Sequence, residues 1–157
     1  MLTGVLDLRS VGVTKGRKRI LESVSCQFLD GLTYLIGLNG SGKTTLLRCL
    51  AGIAPYEGNI FLRQKELRAY GQRSLARRLA FVQQHINLPA HIQTYDFVLM
   101  GRYPYLNWWG TYRAFDRAAC RAAMERLEVW PLRERRLTEI SGGELQRVLL
   151  ARALTQD

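Results

Sequence analysis

Short apolar runs in the first 30 residues alternate with polar positions, and Val24, Cys26 and Phe28 fall on one parity, the pattern of β-strands with one face covered. Asn59-Ile-Phe-Leu62, bounded by Gly58 and a polar stretch, predicts a further strand of the same antiparallel layer. Leu32-Thr-Tyr-Leu-Ile36 is a continuous apolar run and predicts a short buried strand. Thr45 to Ala51 predicts a helix stopped by Gly52, with Leu46, Leu47 and Leu50 on its packed face. Leu79-Ala-Phe-Val-Gln-Gln84 predicts an apolar strand ending in two amides. From about residue 85 to residue 140 the period becomes helical, with Cys120, Ala123, Met124 and Leu127 spaced i, i+3, i+4, i+7. The sequence holds no internal repeat and no low-complexity linker.

Between the strand at residues 32–36 and the helix at residues 45–51 lies Gly37-Leu-Asn-Gly-Ser-Gly-Lys-Thr44. Two glycines flanking four residues, followed by Lys and Thr, form the pattern of a phosphate-cradling loop, and strand, loop and helix occur in the required order. Gly37, Gly40 and Gly42 let the backbone turn and approach phosphate oxygens, Asn39 and Ser41 complete the loop, and the amides through Thr45 form an anion nest at a helix N-terminus. Lys43 is positioned to reach the β- and γ-phosphates of ATP, and the Thr44 hydroxyl to ligate Mg²⁺.

Downstream stands Ile140-Ser-Gly-Gly-Glu-Leu-Gln-Arg147, with Leu145, Val148 and Leu149 starting an apolar helical face. Ser141 and Glu144 also match an N-cap followed by a helix-starting acid, a reading compatible with any other role. With both motifs, the chain from about residue 5 onward resembles the nucleotide-binding domains of ATP-binding cassette (ABC) proteins. Ile140 replaces the usual first Leu of the family signature, and Glu144 stands where Gln is commoner.

The resemblance implies an α/β fold, a P-loop NTPase of ABC ATPase type (incomplete), with an antiparallel β layer and a helical subdomain. It divides the chain into a nucleotide-binding core over 1–84, a helical subdomain over 85–140, and the signature with its helix over 141–157. It further implies that two protomers stack head to tail, the phosphate loop of one and Ser141, Gly142, Gly143 and Glu144 of the other sandwiching each ATP. Gln84 matches the strand-end Gln that approaches Mg²⁺ and the attacking water. Lys15 falls where the family commonly stacks an aromatic residue on adenine, so base selectivity is not assigned. The family continues past the signature helix into a strand with a metal-binding Asp and a general-base Glu, and then a His that contacts the γ-phosphate. This sequence ends before them, and neither His85 nor His91 replaces the last. The expectation is the N-terminal portion of a longer domain, an ATP hydrolase when complete and inactive as these 157 residues alone.

Composition narrows the setting. A hydrophobic content of 47% argues against disorder, no apolar run approaches the length of a bilayer span, and the N-terminus lacks the features of a secretory signal. The three cysteines, Cys26, Cys49 and Cys120, are odd in number and scattered, which predicts reduced thiols in the core. A net charge of +10 is compatible with polyphosphate, anionic lipid or nucleic acid. The basic residues are dispersed, however, and read as solvated faces with no nucleic-acid partner.

Val98-Leu-Met-Gly-Arg-Tyr-Pro-Tyr105, followed by Trp108 and Trp109, resembles the Gly-Arg-x-Pro stretch of ATPase subunits of importers for ferric siderophores, haem and cobalamin. A Pro-containing turn that buries its aromatics, or a docking patch for a permease helix, both fit it. The sequence thus predicts the ATP-binding subunit of an importer on the cytoplasmic face of the plasma (inner) membrane. Its expected partners are transmembrane permease subunits, a second ABC protomer and, indirectly, a substrate-binding protein. The alternatives are a soluble ABC ATPase acting on nucleic acid and a catalytically inactive nucleotide-binding fragment.

Overall fold

The computed structural model describes residues 5–83 and 91–156, and the chain divides into two compact units, residues 1–75 and 76–157.

The first unit is built on a four-stranded antiparallel sheet in the order β2-β1-β3-β4: β1 Leu6–Lys15, β2 Lys18–Phe28, β3 Glu57–Leu62 and β4 Lys65–Glu66. Gly16, at φ +60°, turns β1 into β2 so that Lys15 pairs with Lys18. Leu8, Val11, Leu21, Ile60, Leu62 and Leu67 are buried and form the apolar side of this layer. Register shifts along β1 interrupt strict alternation. Cys26 pairs with the buried Leu8 and Val24 with the buried Val11, so β2 keeps its parity there and both share the apolar face; β2 is at the edge of the sheet, and Cys26, expected in the core, is left uncovered.

Helix α1, Lys43–Leu50, leaves the Gly-rich loop and ends at Ala51, with Gly52 at φ +70° beyond it. Its buried residues are Leu46, Cys49 and Leu50, whereas Leu47, expected on the packed face, is 43% exposed. Leu46, Cys49 and Leu50 are spaced i, i+3, i+4 and make the buried stripe, and Leu47 lies round the helix from it, away from Cys49. The run Leu32–Ile36 is not a strand: it has no ladder partner among the described residues, and Leu32, Tyr34 and Ile36 are exposed. A strand exists only by pairing, and apolar content alone does not provide that. The same holds for residues 79–83, expected as a strand and irregular here. Helix α2, Gln72–Ala76, precedes them.

In the second unit α3 Thr94–Leu99, α4 Ala114–Arg126 and α5 Gly142–Thr155 surround one apolar core. Phe97 and Val98 of α3, Cys120 and Met124 of α4, Val129, and Val148 and Ala151 of α5 are buried together. The periodicity over Cys120, Ala123, Met124 and Leu127 is realised, the first three buried and Leu127 packed against them. Thr94 donates through both its amide (2.9 Å) and its hydroxyl (2.9 Å) to the Arg135 carbonyl, closing the start of α3 onto the loop before α5. Among the described residues no helix is long and apolar enough to cross a membrane.

Candidate nucleotide site

Residues 37–45 form a tight loop running into the first turn of α1. The Ser41 amide donates to the Leu38 carbonyl at 3.2 Å, which closes the loop, and Gly42 is the residue before the helix at φ 91° and ψ 2°. That left-handed conformation is one that a side chain resists. A β-carbon at Gly42 would also stand 2.7 Å from Leu21 Cδ2 and 3.1 Å from the Ile20 carbonyl oxygen, so β2 lies directly against the loop. Gly40 is left-handed as well, at φ +80°.

The first turn of α1 has no acidic residue and no side-chain cap. Its leading N–H groups lack intrahelical acceptors by the geometry of any helix start, and the helix dipole adds positive potential there. Lys43 folds back over the loop, its Nζ donating to the carbonyls of Gly37 (2.7 Å) and Leu38 (2.6 Å), with Ser41 Oγ at 3.5 Å. The ammonium is thus held at the mouth of the loop. Thr44 and Thr45 follow in the first turn, and Asn39 lies in the turn between the two flanking glycines.

Ser141 caps α5. Its Oγ accepts from the Glu144 amide at 3.3 Å, while its own amide donates to Glu144 Oε2 at 2.7 Å, a reciprocal capping box. The N-cap reading of this motif is therefore realised. The two hydrogen bonds from Ser141 hold the Glu144 carboxyl below the usual carboxylate range. Among the described residues nothing lies within 4 Å of where a β-carbon would stand at Gly142 or Gly143. Each glycine costs a helix about 1 kcal/mol relative to alanine, and no packing inside the fold asks for either. An open, small N-terminal turn of this kind admits close approach from outside.

Gln84 and His85 lie outside the described residues. His91 lies in a turn before α3 and lines a cavity with Gln93, Asp96, Tyr112 and Arg136, all in the second unit. No group of three or more His, Cys, Asp or Glu side chains fit to hold a metal occurs among the described residues. Lys15 is exposed.

The Gly-Arg-x-Pro stretch divides in two. Gly101, Arg102 and Pro104 are buried in the 3-10 segment Met100–Tyr105, whereas Tyr103 is exposed and Trp108 and Trp109 are 94% and 83% exposed. The turn is therefore partly core and partly an aromatic surface. Arg102 was not legible from the sequence as a buried group: only 3% exposed, it pairs with Asp116, itself 5% exposed, at 2.9 Å. A single Arg within the apolar run Phe97 to Tyr105 was the available signal.

Several arginines stack on aromatic rings, and of those that follow, Arg9, Arg68 and Arg121 remain exposed, in keeping with solvated faces. Arg9 lies over Phe61, Arg68 over Tyr56, Arg121 and Arg133 over Trp130, and Arg152 over Phe97, each within 5.1 Å of the ring centre. Such cation–π stacking orients guanidinium groups on aromatic faces while leaving Arg9, Arg68 and Arg121 in contact with water.

Residues 21–157 match the sequence profile described as ABC transporter. The chain is 35% identical to a hemin import ATP-binding protein, HmuV, of Bradyrhizobium diazoefficiens, over 99% of this chain and 56% of that protein. It is 40% identical to the HmuV of Bordetella pertussis over 96% of this chain and 57% of that one. A cobalamin import ATP-binding protein, BtuD, of Halobacterium salinarum is 38% identical over 96% of this chain and 38% of that protein. Among solved structures, an inward-facing metal-chelate type ABC transporter superposes with a TM-score of 0.79 at 27% identity, over 97% of this chain and 56% of that one. A nucleotide-free ATP-binding cassette superposes at 0.84 with 21% identity, over 98% of this chain and 66% of that one, a likeness of fold. The chain spans a little over half the length of the HmuV proteins it matches. The P-loop, the capping-box signature and these matches together make the chain a member of the ABC transporter family, with the ABC ATPase fold.

Proposed function

We propose that this chain is the nucleotide-binding part of an importer ATPase subunit, in which residues 37–45 hold the triphosphate of ATP. The observation that carries this reading is the Lys43 ammonium, gathered by the Gly37 and Leu38 carbonyls at the N-terminus of α1. A triphosphate in the loop offers that ammonium anionic oxygens in place of neutral carbonyls, and charge-assisted bonds are roughly twice as strong. The amides of Gly40, Ser41, Gly42, Lys43, Thr44 and Thr45 supply the remaining donors, flanked by Gly37 and Asn39.

The Thr44 hydroxyl is a hard oxygen donor beside the loop and suits Mg²⁺, which favours oxygen ligands. Gln84 is assigned the second protein contact to the metal and the attacking water. When bound, Mg²⁺ neutralises charge developing on the phosphates. Lys43 stabilises the γ-phosphate during in-line attack by water.

Ser141, Gly142, Gly143 and Glu144 close on the nucleotide of a second protomer. Support comes from the open turn at the two glycines and from the capping box. That box fixes Ser141 and Glu144 at the start of the helix. The Glu144 carboxylate, tied to the Ser141 amide, serves the cap and does not itself attract phosphate.

The importer assignment rests on the hemin and cobalamin relatives and on the Gly-Arg-x-Pro stretch. An iron chelate, haem or cobalamin is the proposed cargo class. Tyr103, Trp108 and Trp109 are then proposed as a surface for permease subunits, and the cytoplasmic face of the inner membrane as the site of action. A substrate-binding protein would act only through that permease. Hydrolysis of ATP is the proposed activity of the domain to which this chain belongs. The nucleic-acid alternative gains nothing from the charge, because the basic residues are dispersed along the chain.

The test is Lys43→Ala in the full-length protein, read by titration with Mg-ATP. Affinity falls at least 100-fold if the reading holds. Binding within twofold of the native protein would remove the loop from the mechanism.

A further inference from the structure

The C-terminal end of α5 meets the Gly-Arg-x-Pro segment in a junction of unusual closeness. A β-carbon at Gly101 would stand 2.4 Å from the Arg152 carbonyl oxygen and 3.2 Å from Thr155 Cβ, so only glycine allows the two backbones this approach. Beside it, the Arg102 guanidinium donates through Nη1 to the Thr155 carbonyl at 3.0 Å and through Nε to Asp116 Oδ1 at 2.9 Å. The other Asp116 oxygen, Oδ2, accepts the Arg113 amide at 2.9 Å, so one carboxylate holds both Arg102 and the start of α4. Tyr105 lies 3.8 Å from the guanidinium and closes its open face. Gln156, just past α5, donates to the carbonyls of Leu79 (2.7 Å) and Ala76, and Arg77 donates to the Pro104 carbonyl at 2.9 Å.

Burying an ion pair does not by itself stabilise a fold, because desolvation offsets the attraction; a retained pair calls for a geometric role. Here the geometry is specific. A planar fork spans a carboxylate on α4 and a main-chain carbonyl at the last residue of α5, an arrangement that a lysine point charge does not reproduce. Helix α5 starts at the signature glycines and ends at this clamp. At 1.5 Å per residue the separation is ~21 Å, so a tilt of about 10° at the clamp moves the signature end by ~3.5 Å, more than a hydrogen bond tolerates.

We infer that Arg102 is a positioning residue: with Asp116 and the Thr155 carbonyl it fixes the direction of α5 and thereby aims Ser141 to Glu144 at the nucleotide held by a second protomer. This rests on the ATP-sandwich reading above and adds to it the part that sets the angle of the signature helix.

The test compares Arg102→Lys with Leu132→Ala in the full-length protein, the second being a core substitution in the same unit that leaves the junction intact. Both are measured for Tm, Mg-ATP affinity of the monomer, dimerisation driven by a non-hydrolysable ATP analogue, and kcat against KM. For Arg102→Lys the expected result is nucleotide affinity and KM within twofold of native, with dimer affinity and kcat each lowered at least 10-fold. Leu132→Ala, at an equal or greater loss of Tm, changes dimer affinity and kcat less than threefold. Equal losses in the two variants would reduce Arg102 to ordinary packing and overturn the inference. The double variant Arg102→Met/Asp116→Leu guards against a folding artefact. Recovery of Tm without recovery of dimerisation supports the aiming role, and recovery of both overturns it. Should the native protein bind Mg-ATP yet never dimerise, the sandwich reading fails on its own. Hydrogen exchange at the amides of residues 142–146 then decides: a 10-fold rise in Arg102→Lys upholds the link from clamp to signature end, and an unchanged rate refutes it.

Discussion

Replacing Gly42 with alanine tests whether the phosphate loop is held in shape by its own backbone. The residue sits at φ 91°, where an L side chain costs about 1–2 kcal/mol. The added methyl also meets Leu21 Cδ2 at 2.7 Å and the Ile20 carbonyl at 3.1 Å. Leu21 is buried, so its tip has little room to withdraw, and overpacking of this kind costs about 1–3 kcal/mol. With partial relaxation the total is about 2–4 kcal/mol, and it can appear in two places. If the loop keeps its form, the loss falls on stability and moves the urea midpoint down by about 1–2 M, at about 2 kcal/mol per molar. If the loop escapes to negative φ, the amides at the start of α1 turn away from a common centre, and Mg-ATP affinity falls about 30- to 700-fold at 1.4 kcal/mol per decade. Equilibrium urea unfolding and nucleotide titration on one preparation measure both shares, and the two losses together should reach about 2–4 kcal/mol. An alanine variant with stability within 0.5 kcal/mol and affinity within twofold would refute the account of the loop.

Asp116→Ala leaves the Arg102 guanidinium buried without its counter-ion and costs about 3–5 kcal/mol by chemical denaturation; a loss under 1 kcal/mol would show that the site rehydrates. Burial pushes the Asp116 carboxyl upward, but the Arg113 amide and the Arg102 guanidinium outweigh it and hold the group below the usual carboxylate range. Its stabilisation is accordingly full above the unfolded value near pH 4 and is lost as pH falls through the lower folded value. Acid unfolding followed by circular dichroism should be shallower over that window in Asp116→Asn. Burial pushes the Cys120 thiol up to about 12 and also raises Cys49 and, with the nearby Asp7 charge, Cys26, but of the three only Cys26 is exposed to a reagent. A thiol reagent at pH 8 should therefore label Cys26 alone in the native state and all three after denaturation, with native labelling of Cys120 counting against the described core. Trp108→Ala/Trp109→Ala should change stability by less than about 0.5 kcal/mol, since both rings are exposed. The same variant should lose permease-stimulated ATP hydrolysis, and full stimulation would remove these rings from the docking surface.

What the sequence made legible was local. The phosphate loop is a contiguous pattern with its own backbone chemistry, and the capping box at Ser141 and Glu144 needs only four residues. The stripe of α4 emerges because thirteen residues give the helical period room to repeat. What failed depended on partners remote in sequence. Leu32 to Ile36 is apolar enough for a strand, but a strand is defined by its neighbours. Cys26 was assigned inward from alternation, which the register preserves opposite Leu8, but at the edge strand β2 no remote segment among the described residues covers it. Arg102 was hidden because its partners lie 14 and 53 residues away, separations at which no periodicity links a cation to a carboxylate or a carbonyl.

The bare stretch from Leu32 to Leu38 has a practical consequence. It is uncharged, free of proline and rich in β-prone side chains, with Ile36 89% exposed. Such segments template intermolecular cross-β stacking when left uncovered. Recovery of these residues from inclusion bodies should therefore decline with protein concentration, and a charged residue at Ile36 should raise the yield of dispersed material.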